Sequence, residues 1–137
     1  MATVATKSNL QIVQDAYDVL LGQGNLDAFC EYFDDGTVMS EADSLPYGGT
    51  FKGRDAIKAG IQAVFGYYSA FGYDVHQLTE GGNLVIAYGT FSATSAKNGK
   101  SVSFPLAEVW EFGEGGRVKM IQPVYGDTKA VVDILNG

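Results

Sequence analysis

Three four-residue segments punctuate the second half of this 137-residue chain: Glu80-Gly81-Gly82-Asn83, Lys97-Asn98-Gly99-Lys100 and Gly113-Glu114-Gly115-Gly116. Around them the apolar pattern has period two, and residues 73–79, 84–94, 101–112 and 118–125 read as strands. Connections this short join antiparallel neighbours, so the four strands form a meander. Asn98-Gly99 is the strongest of these turn signals, because both residues tolerate positive φ.

The first half has a different period. Ser8-Asn9-Leu10-Gln11 is a capping-box start, and Leu10, Val13, Tyr17, Leu20 and Leu21 then follow at helical spacing. Gly22 and Gly24 end that helix. Leu26, Phe29, Cys30 and Phe33 make a second, shorter stripe. Residues 37–41 read as a strand and 43–51 as a loop with Pro46, Tyr47, Gly48 and Gly49. A third helix starts near Gly53 or Arg54, its buried face marked by Ile57, Ile61, Val64, Phe65 and Tyr68. Asp127 and Thr128 can cap a last helix through Leu135. Helices first and a meander after give an α+β fold, with helices on one face of a curved antiparallel sheet. Where the helices leave the concave face uncovered, a pocket remains.

Composition removes several function classes. One His and one Cys cannot supply a typical zinc site or an intrachain disulfide. Nine Lys and Arg against 16 Asp and Glu give a net charge of −7, the wrong sign for neutralising phosphates, so no nucleic-acid partner is expected. No apolar run is long enough to span a bilayer, and Met1–Thr6 lacks the apolar centre of a signal peptide. The chain reads as soluble and cytoplasmic, working without metal or cofactor, although composition alone leaves an all-carboxylate metal site open. Gly48-Gly49-Thr50-Phe51-Lys52-Gly53-Arg54-Asp55 has the glycine spacing of a phosphate loop, but Arg-Asp stands where Lys-Ser/Thr is required.

Acid/base chemistry therefore rests on carboxyl and phenol groups. In the strand around residues 103–112, alternation puts Phe104, Leu106, Glu108, Trp110 and Phe112 on one face. That face is the buried one, which would raise the pKa of Glu108 and let it donate a hydrogen bond to an oxyanion. A register one residue off would instead leave Glu108 at the rim, or paired with Arg117 or Lys119. Tyr17 lies on the buried stripe of the first helix. Either Glu41 or its neighbour Ser40 points at the pocket, and Glu41 there would be a general base. His76 is the only side chain whose ordinary pKa lies near neutrality, and is a second candidate base. Cys30 reads as a small core residue. Eight Tyr, eight Phe and one Trp exceed what a minimal core needs. Tyr47, Phe51, Tyr68, Tyr88, Phe104, Trp110 and Tyr125, with Gln122, are expected to line or close the pocket.

The helix with Tyr17, the run Gly24-Asn25-Leu26-Asp27-Ala28-Phe29 and the run Phe33-Asp34-Asp35-Gly36-Thr37-Val38 resemble the opening of ketosteroid isomerase-related and SnoaL-like proteins. These belong to the nuclear-transport-factor-2-like superfamily. Leu45-Pro46-Tyr47-Gly48-Gly49-Thr50-Phe51-Lys52-Gly53-Arg54-Asp55-Ala56-Ile57 is similar to its loop-to-helix segment, and Glu108-Val109-Trp110-Glu111-Phe112, Arg117-Val118 and Asp127-Thr128 extend the likeness over nearly the whole chain. The resemblance implies a cone-shaped α+β barrel, about three helices on a strongly curved antiparallel sheet, as one domain over residues 1–137. It puts Tyr17 and Glu108 at the positions of the isomerase's two oxyanion-hole donors, a mechanism with a protonated acid described before. An ungapped count puts Ser40 at the position of the isomerase base, with Glu41 next to it. The implied activity is proton transfer on a small apolar carbonyl compound, of isomerase or cyclase type, in a homodimer. The alternative is a non-catalytic ligand-binding or protein-interaction domain using the same cone.

Overall fold

The structure, a computed structural model, describes residues 7–137. The expectation placed on Met1–Thr6 lies outside them. Helix α1 (Asn9–Tyr17) is capped by Ser8, whose hydroxyl accepts from the Gln11 N–H at 3.1 Å. It runs into a π-helical turn, Asp18–Gly22. A five-residue α2 (Leu26–Cys30) follows, then β1 (Val38–Glu41), β2 (Gly49–Lys52) and α3 (Arg54–Tyr67). The meander is β3 (Tyr68–Gly81), β4 (Leu84–Ser95), β5 (Ser101–Phe112) and β6 (Val118–Tyr125), and α4 (Thr128–Asn136) closes the chain.

The six strands form one sheet in the order β2-β1-β6-β5-β4-β3. Three features depart from the sequence reading. Residues 49–52 form a strand rather than loop, pairing antiparallel with β1. β1 itself lies parallel to β6, so the sheet is a meander with one parallel seam. That seam ends at Met39 opposite Ile121, two residues before Pro123, which has no N–H to extend the ladder. Tyr68 opens β3 instead of continuing α3.

The curvature has a local cause. β3 carries a register shift between Val75 and Gln77, opposite Gly89 of β4. A Cβ on Gly89 would stand 2.0 Å from the Asp74 carbonyl oxygen, so only glycine lets the two backbones approach there.

Two apolar clusters fill the concave side. The larger holds Val13, Ala16 and Tyr17 of α1, Phe29 and Phe33, and Trp110 and Phe112 of β5. The smaller lies under α4 and holds Tyr47, Tyr68, Phe91, Phe104 and Leu106 with Val131, Ile134 and Leu135. Outside them, Arg117 grips Asp34 through two bonds, at 2.6 and 3.1 Å, and Thr37 donates to the Val118 carbonyl at 2.7 Å. Those contacts tie the α2–β1 connection to β6. Among the described residues no helix is long and apolar enough to cross a membrane.

Candidate active site

A cavity of about 120 Å³ lies at the seam between the two clusters. Its floor is the concave face of the sheet: Met39 and Glu41 of β1, Ile121, Pro123 and Tyr125 of β6, Leu106 and Glu108 of β5, and Phe91 of β4. Tyr17 and the π-helical turn supply one wall through Leu20 and Leu21; Ile61, Val64 and Phe65 of α3 supply another, with Phe71 and Tyr73 of β3. The π-helical turn interrupts α1 directly after Tyr17, so Leu20 and Leu21 sit at the wall rather than continuing the α1 stripe. Only Ile57 and Gly60 of the fourteen α3 residues are fully buried, because the second half of this helix spans the cavity instead of packed side chains. Leu21 and Phe71 stay exposed at the rim, where Phe71 stacks on Phe65 at 4.7 Å between ring centroids.

Strand β5 has the expected alternation: Phe104, Leu106, Trp110 and Phe112 are buried and Glu108 lies between them, half-buried. Its carboxyl is accessible from the cavity and otherwise enclosed. Arg117 and Lys119 pair elsewhere, with Asp34 and Glu111, so neither neutralises it. Glu108 Oε1 accepts from the Tyr17 hydroxyl at 2.5 Å, and Tyr17 accepts from the Trp110 indole N–H at 3.0 Å. Burial raises the Glu108 pKa, and the Tyr17 hydrogen bond pulls it partly back. The Tyr17 pKa is raised well above that of a free phenol, first by burial and then by the neighbouring Glu108 charge. The Tyr17 proton is thus directed at Glu108, not into the cavity. Tyr17 and Glu108 form a series from Trp110, which differs from two donors side by side.

In β1 the inward residues are Met39 and Glu41, and Ser40 faces the other side. Glu41 is 6% exposed. Burial pushes its pKa up to about 7; the Tyr125 hydroxyl, donating to Oε2 at 3.0 Å, pulls it down, and the Glu108 carboxyl raises it. Extending the Met39–Ile121 and Glu108–Pro123 pairings puts Glu41, Pro123 and Glu108 in one row across the sheet. The two carboxyls therefore face one apolar space from either side of β6.

Several expected residues lie elsewhere. His76 is on the exposed face of β3, 3.4 Å from both Asp74 and Thr90, and does not reach the cavity. Tyr88 and Gln122 also point outward, because their neighbours Ala87 and Ile121 take the inward positions. Phe51 packs under α3, about 3 Å from where a Gly60 Cβ would be. Phe104 is buried behind the cavity against Phe91 and Tyr125, and Trp110 is sealed behind Tyr17. Tyr47 and Tyr68 sit behind Tyr125. Of the rings expected at the wall, Tyr125 lines it. Phe65, Phe71, Tyr73 and Phe91 do so without having been expected, although Phe65 belongs to the stripe already visible in α3. Among the described residues no group of three or more His, Cys, Asp or Glu is placed to hold a metal ion.

The sequence profile of the SnoaL-like domain matches residues 13–121. The chain belongs to the SnoaL-like family. None of the curated proteins compared matches it. The fold of this SnoaL-like protein is shared with an NTF2-like protein from Burkholderia thailandensis E264, 22% identical, with a TM-score of 0.86 over 94% of this chain and 98% of the other. A protein from Jannaschia sp. CCS1, assigned as a SnoaL-like polyketide cyclase, is 16% identical, with a TM-score of 0.80 over 100% of this chain and 97% of the other. A protein of ketosteroid isomerase-like fold from Catenulispora acidiphila DSM 44928, in complex with trimethylamine, is 12% identical, with a TM-score of 0.73 over 89% and 91% of the two chains. At these identities the likeness is one of fold.

Proposed function

We propose that the cavity is the active site of a proton-transfer enzyme acting on a small, largely apolar carbonyl compound, by isomerase- or cyclase-type chemistry. One observation carries the reading: two carboxyls face the same apolar cavity, both with raised pKa values. Glu41 is the base. A carboxyl poised near 7 takes up and returns a proton at neutral pH. It removes the proton α to the carbonyl; the C–H pair becomes the enolate C=C bond as the carbonyl π pair moves onto oxygen. Glu108, whose pKa burial raises, donates in its protonated form to that developing oxyanion, and Tyr17 and Trp110 hold it in place. The proton on Glu41 then returns to the same carbon or to a conjugated one. Among the described residues no basic side chain lines the cavity, which favours neutral substrates over carboxylates or phosphates.

The test is exchange of α-protons of small cyclic ketones in D₂O, followed by ¹H NMR. The protein should accelerate exchange for at least one of them, and Glu41→Gln should lower that rate about 100-fold or more. Exchange no faster than with Glu41→Gln across the whole set would remove the enzyme reading. Saturable binding in its place would support a non-catalytic binding domain.

The same reading includes a homodimer formed through the outer face of the sheet. Tyr88 and Val124, 52% and 50% exposed, lie in one row across β4, β5 and β6 through Ala107, with Ile86 and Val109 in the next row. Sedimentation of the wild type should give two copies, and Val124→Arg should give one. A monomeric wild type refutes the dimer.

A further inference from the structure

The hydroxyls of Tyr68, Tyr47 and Tyr125 form an unbroken line that ends on a cavity carboxyl. Tyr68 to Tyr47 is 2.8 Å, Tyr47 to Tyr125 is 3.1 Å, and Tyr125 to Glu41 Oε2 is 3.0 Å. The three rings come from separate parts of the chain: the start of β3, the loop before β2 and the end of β6. Tyr47 and Tyr68 are buried and line no part of the cavity, so neither meets a ligand there.

The proton count gives the line a direction. Each phenol has one proton, and an ionised carboxylate only accepts. Tyr125 therefore donates to Glu41, must accept from Tyr47, and Tyr47 in turn accepts from Tyr68. Three protons make three bonds in one arrangement. At the far end, Glu41 Oε1 has no hydrogen-bond partner among the described residues. No buried side-chain polar atom is left without a partner either, so Oε1 is open to the cavity that Glu41 lines. Three phenols that merely satisfied one another would have no need to end on one oxygen of a carboxyl whose other oxygen is free.

We propose that Tyr125, Tyr47 and Tyr68 are positioning residues for Glu41: their directed hydroxyl chain keeps Oε2 occupied and presents Oε1 to the cavity as the atom that takes and returns the proton. This rests on Glu41 being the base. The groups that act on Glu41 are Tyr125 from β6, Tyr47 and Tyr68 behind it, and Glu108 from β5. Burial and Glu108 push its pKa up, and the Tyr125 bond opposes them. Hydrogen bonds in series polarise one another, so each upstream phenol makes Tyr125 the better donor.

The experiment is a ¹³C titration of the glutamate carboxyls by NMR, with the Glu41 signal assigned from Glu41→Gln. Tyr125→Phe should raise the Glu41 midpoint by about one pH unit. Tyr47→Phe, which removes no contact to Glu41, should raise it by about half a unit, and Tyr68→Phe by less. All three keep their rings and the packing. Tyr67→Phe is the control: its ring lies 5.6 Å from that of Tyr47, but its hydroxyl joins no hydrogen bond among the described residues. A Tyr47→Phe midpoint that moves no further than that of Tyr67→Phe overturns the chain and leaves Glu41 as base. An ordinary carboxylate midpoint for wild-type Glu41 overturns the base instead.

Discussion

Replacing Glu41 by Gln is expected to stabilise the protein above neutral pH, by up to about 3 kcal/mol relative to its effect at pH 4.5. The ordinary carboxyl value is 4.5 and the folded value is about 7. Below pH 4.5 both folded and unfolded chains hold the proton, and the group contributes nothing to pH dependence. Between these values the unfolded chain releases its proton while the folded chain keeps it, so stability falls as pH rises. Above 7 the loss is complete. At 6% exposure, Glu41 has little solvent to screen this cost. Gln keeps an oxygen for the Tyr125 hydroxyl and has no charge to desolvate. Glu108 contributes to pH dependence with the same sign, and the difference between the two proteins includes its coupling to Glu41. Asp34, whose pKa Arg117 lowers, is common to both and cancels. Urea unfolding of both proteins at intervals from pH 4 to 8 measures the effect. Parallel stability curves would mean that Glu41 is solvated in the folded state. An enzyme that keeps such a group gives up stability at its working pH for a base of suitable strength.

How legible this site was depended on the length of each strand. In β5 five inward residues in alternation fix the parity, and the burial of four large apolar side chains locates Glu108 from the sequence alone. The same parity applied to β6 puts Ile121, Pro123 and Tyr125 together inward and turns Gln122, expected at the pocket, outward. β1 has only four residues, too few to decide between Ser40 and Glu41; its register against β6 decides. β2 was hidden because its residues alternate between half-buried and exposed and pair with β1 alone. The aromatic count pointed to a cavity without saying which rings form it. Phe104 and Trp110 share the inward face with Glu108, but helices and neighbouring rings cover them, and alternation is blind to what lies above a face. The hydroxyl chain to Glu41 joins residues 41, 47, 68 and 125, and no local spacing encodes it.

Trp110→Ala is expected to cost about 3–5 kcal/mol, a large share of the stability of an ordinary domain. Trp110 is fully buried, with Tyr17, Phe29 and Phe112 ring centroids within 6.4 Å. Truncation leaves a hole between α1, α2 and β5 and removes the N–H that Tyr17 accepts. Trp110→Phe separates the two losses. It keeps most of the ring volume and should cost about 1–3 kcal/mol, part of it from the unpaired Tyr17 oxygen. Because this is the only Trp, unfolding must be followed by far-ultraviolet circular dichroism rather than indole fluorescence. The Phe variant also reports on the site. The indole bond pulls the Tyr17 pKa down and so makes Tyr17 a stronger donor to Glu108. Without it, the Glu108 carboxylate loses support and its midpoint in the ¹³C titration should rise. An unchanged Glu108 midpoint together with a stability loss would show Trp110 to be a core residue alone. A rise at Glu108 would show that the packing that folds this half of the cone also sets the acid on its floor.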